Sequence, residues 1–279
     1  LHRRRHSFPT RRSSDLNHKL LNSRFDEMLN IINESSTRIK TGIVLLIAML
    51  VIGYIDSYFI FWLVFGVMLI ISISEAKKLF GIKNNIIYVY TTLLWLAAYF
   101  YPKPEDLVFI VAIAYASQLA YQKTLNIHVF LPLLYPTASF LFLLSLYSGY
   151  GTMTLLWLLV IVASTDIGAY FVGKSIGKTK FCETSPNKTI EGVIGGVVFA
   201  VLLGTLFSTN GISFVNALII SAIVSIVSIF GDLFESYLKR EAGVKDSGTI
   251  LPGHGGVLDR TDGYLFGAIV MLVLLRVVI

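Results

Sequence analysis

The residues best equipped for chemistry lie between Ser236 and Gly263, in the stretch SYLKREAGVKDSGTILPGHGGVLDRTDG. It interleaves the cations Lys239, Arg240 and Lys245 with the carboxylates Asp246, Asp259 and Asp262, and sets His254 in a Pro-Gly-His-Gly-Gly turn. Phosphoryl chemistry needs this combination. Cations hold anionic oxygens, while carboxylates bind Mg²⁺, which neutralises charge on the reacting phosphorus. Gly253, Gly255 and Gly256 let backbone approach a ligand closely. Two plainer readings compete: a solvated charged loop, and a segment from Gly253 to Leu258 that is only a tight turn. His254 either donates to a phosphate oxygen or braces that turn.

Two more carboxylates fall inside apolar runs, Asp166 in LLWLLVIVASTDIGAYFVG and Asp232 in IVSIVSIFGDLFESYLKR. An ionisable group in hydrocarbon is expensive, so it is paired, metal-bound or functional. Asp232 shares a helix face with Glu235 and Ser236, three and four residues on. The bland alternative for each is a carboxylate satisfied by a neighbouring lysine.

The elements that carry these residues follow from composition. Of 279 residues 55% are apolar and 14% charged, which makes the bilayer the expected solvent. The formal charge is +6, but most Lys and Arg sit between apolar runs, a placement that suits a membrane surface and anionic phosphates rather than nucleic acid. The lone Cys182 excludes an internal disulfide framework and a cysteine-rich metal site.

A spanning helix needs about 20 mainly apolar residues. Candidate spans fall near 41–55, 57–74, 86–101, 106–121, 129–147, 152–172, 190–208, 213–232 and 262–279. The expected fold is therefore all-α, a polytopic integral membrane protein with about nine transmembrane helices. Lys and Arg in short loops accumulate on the cytoplasmic side. Alternation from an inside N-terminus leaves only Lys103 in an outside loop, with Arg276 counting mildly against the scheme. Segments 173–189 and 233–261 then open on one cytoplasmic face, and the C-terminus lies outside. Trp62, Tyr99, Tyr101, Tyr147 and Trp157 near span ends read as an interfacial belt.

Residues 1–16 hold five Arg and no apolar core, and read as a non-native leader. Segment 17–40 is an N-terminal cytoplasmic stretch, in which Leu21, Phe25, Met28, Leu29 and Ile32 recur at the spacing of an interfacial helix. N-terminal helices over 41–150 read as scaffold, and 151–279 as the catalytic region.

Gly168 followed by Gly173-Lys174-Ser175 fits a phosphate-binding-loop pattern, but these residues end an apolar helix and lack the strand that such a loop requires. Gly192, Gly195 and Gly196 read as close helix packing.

Residues 236–262 resemble the signature of the phosphatidate cytidylyltransferase (CDP-diacylglycerol synthase) family. The matching positions are Ser236, Lys239-Arg240, Lys245-Asp246, Gly248, Pro252, His254-Gly255-Gly256, Asp259-Arg260 and Asp262. The likeness continues upstream in Asp166, Tyr170, Gly173, Lys174, Ser185-Pro186, Lys188-Thr189 and Glu191-Gly192. It implies condensation of CTP with phosphatidic acid in a bilayer, releasing pyrophosphate, with Mg²⁺ and a nearby K⁺ as cofactors. It also implies that Asp232 and Asp259 bind metal and that Asp246 and Asp262 are second ligands or orienting groups. Lys239, Arg240, Lys245 and Arg260 would hold CTP phosphates or the lipid headgroup, and the loop from Ser185 through Lys188 to Glu191 would close over them.

Cytosolic CTP and a membrane-held lipid place the reaction at the cytoplasmic interface, in a bacterial inner (plasma) membrane. Membrane lipids are the expected partners, and a homodimer is left open. Rival readings are a secondary transporter that binds coupling ions at Asp166 and Asp232, or a cytidylyltransferase or CTP-dependent kinase for another lipid.

Overall fold

A computed structural model describes residues 40–122 and 125–279. The expected leader, the interfacial helix and Lys123 lie outside the described residues. Among those described, the chain is helical throughout, with only isolated bridges at Lys180–Thr189 and Leu251–Gly255. The helices are α1 (Lys40–Ile55), α2 (Tyr58–Leu79), α3 (Ile86–Ala98), α4 (Leu107–Tyr121), α5 (Ile127–Tyr150), α6 (Thr152–Ile176), α7 (Ile190–Leu206), α8 (Phe214–Glu241) and α9 (Leu258–Val278).

Each falls on an expected span. Five are long and apolar enough to cross a membrane: α2, α5, α6, α8 and α9. The helices α1, α3 and α7 are shorter apolar segments. Large apolar side chains face outward along the bundle, among them Val44 and Leu50 on α1, Ile113 on α4, Leu202 on α7 and Ile219 on α8. Such a surface needs a lipid solvent, and this is a membrane protein.

Small residues set the tightest packing. α7 lies on α6 where Gly196 meets Thr165 and Ala169, Gly192 meets Ala169 and Gly195 meets Val172, so any Cβ at these glycines would collide. Close approach through glycine is how helices associate without a hydrophobic driving force between them. A hydrogen bond between Thr165 and Ser225, 2.8 Å long, ties α6 to α8.

α5 is broken in mid-bundle. Tyr135 leaves helical geometry (φ −139°, ψ 113°) just before Pro136, and the Thr137 hydroxyl donates to the Pro132 carbonyl at 2.8 Å. The break turns the Tyr135 ring edge-on to Phe234 of α8 and Phe266 of α9, with ring centres 5.3 and 6.0 Å away. These two helices carry most of the acidic residues singled out above.

Two aromatic assignments change. Trp157 and Tyr147 are buried rather than interfacial. Trp62 and Trp95 each donate an indole N–H to the other's carbonyl, at 2.9 and 3.1 Å, which staples α2 to α3.

Candidate active site

Five chain segments meet at one end of the bundle: the start of α1, the end of α2, the α6–α7 loop, the end of α8 and the loop that leads into α9. Their contacts are specific. Lys188 in the α6–α7 loop forms an ion pair with Asp232 of α8. The Thr41 hydroxyl on α1 donates to the Pro252 carbonyl at 3.1 Å.

α8 positions its polar residues because Asp232, Glu235, Ser236 and Lys239 follow helical spacing along one side. The Ser236 hydroxyl donates to Asp232 at 3.3 Å. One turn on, the Lys239 ammonium lies between the fully buried Glu235, at 3.1 Å, and Asp259, at 2.7 Å. A buried cation held by two carboxylates locks α8 to the start of α9.

Asp259 is saturated. One of its oxygens accepts the Ser247 amide (2.8 Å), the Ser247 hydroxyl (2.9 Å) and the Gly256 amide (2.7 Å), while the other accepts Lys239. Gly255 sits at φ +82°, where side chains are disfavoured, and a Cβ there would also strike Asp259. The signature loop is thus folded around this carboxylate.

Asp166, Asp232 and Asp262 behave differently. Their charges act on one another, with Lys188 and Arg260 as the nearby cations. Asp166 and Arg260 are exposed, and the Asp232 and Lys188 side chains keep 31% and 26% of their surface. This is an accessible cleft bounded by α6, α8, α9 and the α6–α7 loop.

The remaining predicted residues divide between turn-builders and open cations. Arg260 donates from Nε to the His254 carbonyl at 2.8 Å, and the His254 amide donates to the Leu251 carbonyl at 2.9 Å. His254 therefore braces its turn through backbone, while its imidazole lies beside Gly42 of α1. Arg240 in the last turn of α8 is exposed, as are Lys245 and Asp246 on the loop that follows. Glu191 clamps the α6–α7 loop, accepting the Lys178 and Thr179 amides at 3.2 Å and the Thr179 hydroxyl at 2.8 Å. The Ser185 carbonyl accepts the Lys188 amide at 3.0 Å, which closes the turn that presents Lys188. Lys174 lies apart from the carboxylates, its ammonium 3.4 Å from the Tyr170 hydroxyl.

Sequence reasoning missed Glu75 and Ser247. Glu75 on α2 is 3% exposed and accepts the Val257 and Leu258 amides at 3.0 and 2.9 Å. The signal is a lone carboxylate in the apolar run IISISEAKKL, one residue beyond the expected second span, 57–74.

A divalent cation fits part of this arrangement. Among the described residues no three His, Cys, Asp or Glu side chains converge as a metal cage. Mg²⁺ commonly needs only one or two carboxylates beside substrate phosphates. Asp232 meets that requirement, since it already faces a cationic group in an accessible cleft. Asp259 takes a cation only by giving up its bond from Lys239.

Comparison with known proteins identifies the family. The sequence model of the Cytidylyltransferase family matches residues 36–278. A phosphatidate cytidylyltransferase of Helicobacter pylori (strain J99) is 45% identical over 245 residues, covering 87% of this chain and 92% of the relative. Enzymes of the same name from Bacillus subtilis (strain 168) and Thermotoga maritima are similar over shorter stretches. The first is 51% identical over 121 residues, 42% of this chain and 45% of its own length. The second is 42% identical over 154 residues, 52% and 57% respectively. With a match that runs from ahead of α1 to the end of α9, the chain belongs to the cytidylyltransferase family.

Proposed function

We propose that this protein transfers the cytidylyl group of CTP to phosphatidic acid, giving CDP-diacylglycerol and pyrophosphate. The observation that carries the reading is the near full-length similarity to a relative named phosphatidate cytidylyltransferase. The cleft supports it independently, because carboxylates and cations meet at one end of an apolar bundle, where a lipid headgroup and a soluble nucleotide can both arrive.

The phosphate of phosphatidic acid carries an oxyanion at neutral pH, so attack on the α-phosphorus of CTP needs little general-base help. A new P–O bond forms to the lipid phosphate while the bond to the β-phosphate breaks, and pyrophosphate departs. Positioning and charge neutralisation then dominate. Arg260, Arg240 and Lys245 hold phosphate oxygens, and Lys188, presented by its turn, moves from Asp232 to the nucleotide. Glu191 keeps the Lys188 loop in place, Lys174 lies on its approach, and Ser236 orients Asp232.

Mg²⁺, held by Asp232 with Asp262 or Asp166 beside it, would withdraw charge from the reacting phosphate. Asp259 would serve as a further ligand only in exchange for its bond from Lys239, and K⁺ would be the monovalent companion. The cleft faces the cytoplasm of an inner membrane, because the loops richest in Lys and Arg open at its end.

Purified protein in detergent, given CTP, Mg²⁺ and phosphatidic acid, is expected to release pyrophosphate and form a lipid-linked CDP. Absence of both products with correctly folded protein overturns the reading. Turnover with another phospholipid or isoprenoid acceptor in place of phosphatidic acid replaces the substrate while keeping the chemistry.

A further inference from the structure

We propose that Glu75, on the second helix of the scaffold half, is a positioning residue for the reaction, fixing where α9 begins and so where Asp259 and Asp262 stand. The proposal rests on the function given above and extends it to a residue outside the signature.

The need arises at the start of α9. The first amides of a helix have no partner within it, and buried ones require an acceptor from elsewhere. Val257 occupies the cap position and carries no side-chain oxygen, so the helix cannot cap itself there. Glu75 supplies the acceptors across 182 and 183 residues of chain: one carboxylate oxygen takes the Val257 amide and the other the Leu258 amide. A negative group at this point also complements the helix dipole.

The same carboxylate organises the loop below. The Ser247 hydroxyl lies 3.3 Å from Glu75 and 2.9 Å from Asp259, and its single proton favours the shorter contact. A Cβ at Gly248 or Gly256 would overlap the Glu75 side chain. These two signature glycines are therefore required by a carboxylate on another helix, whereas for Gly256 the sequence alone suggested a ligand. At 3% exposure Glu75 cannot touch substrate. It acts through Ser247, Gly256 and the first turn of α9 on Asp259, and one turn further on Asp262.

The test compares wild type, Glu75→Gln and Ser247→Ala, purified in detergent, by size-exclusion profile, thermal midpoint, and kcat and KM for CTP and dioleoyl phosphatidate. In glutamine one of the two carboxylate oxygens becomes an NH₂ donor, which cannot accept the amide it faces. In folded Glu75→Gln, kcat is expected to fall about a hundredfold with both KM values within roughly threefold, since small misplacements of reacting groups cost that much. Ser247→Ala, which leaves the cap intact, is expected to lose roughly tenfold in kcat.

Folded Glu75→Gln with kcat within about twofold of wild type, or a loss confined to KM, overturns the proposal. So does a Glu75→Gln variant that fails to fold while Ser247→Ala keeps the wild-type kcat, because Glu75 would then be structural only. A wild type that releases no pyrophosphate refutes the assigned function, not the brace. Amide hydrogen exchange over residues 246–260 then decides without substrate: faster exchange in Glu75→Gln supports the brace, and unchanged exchange overturns it.

Discussion

At the end of the bundle away from the cleft, Glu105 is 2% exposed and closed off by Arg276 and Ser145, whereas around the cleft Asp166, Asp232, Lys188 and Arg260 keep accessible surface. Both regions place charge in a largely apolar protein. At the Glu105 end the buried carboxylate has its partners, and the segment before α4 is joined to α5 and α9 as a result. A second polar knot there, Asp56 with Tyr147 and Thr152, ties the α1–α2 turn to α5 and α6 in the same way. The cleft instead leaves charges of both signs accessible, with Asp166, Asp232 and Asp262 close enough to act on one another beside Lys188 and Arg260. Burial of charge alone does not mark a site; charge left accessible to a ligand does.

This contrast can be broken at either end. The largest effect expected is on the cleft: removing divalent cations with EDTA should take pyrophosphate release to background, and added Mg²⁺ should restore it. Undiminished turnover in EDTA would detach the carboxylates from metal binding. At the far end, Arg276→Met leaves Glu105 without its cation and should lower stability by about 1–3 kcal/mol, discounted because the Arg276 side chain is partly exposed. A denaturant or thermal midpoint measures that loss, while kcat and KM should stay at wild-type values. Lys188→Met should raise the KM for CTP roughly tenfold with little loss of thermal stability, as expected for an accessible charge that contacts a ligand. An unchanged KM for CTP would return Lys188 to a structural role.

Much of this was legible in the sequence, and the parts that were not share a cause. Helices occur at every expected apolar run, because hydropathy over about 20 residues is a local property. Their lengths were less legible: α3 and α7 are 13 and 17 residues long, bounded by Asn85 and Tyr99 at one and by Thr189 and Phe207 at the other. The signature from Ser236 to Asp262 pointed to the right end of the molecule. It did not reveal that Asp259 spends both oxygens on Lys239, Ser247 and Gly256, since those bonds depend on how a loop closes. Glu75 and Glu105 escaped notice for one reason. Each sits at the margin of an apolar run, and its partners lie more than a hundred residues away at Val257, Leu258 and Arg276. Arg276, which weighed against the charge-based orientation, is accounted for by that pairing.

The most direct measurement sets the two regions side by side, with Asp232→Asn and Glu105→Gln assayed for CTP-dependent pyrophosphate release as folded, detergent-purified proteins. Loss of roughly a hundredfold or more in Asp232→Asn, with Glu105→Gln within about twofold of wild type, is the predicted result. Equal rates in the two variants would contradict the assignment of the cleft as the reaction centre.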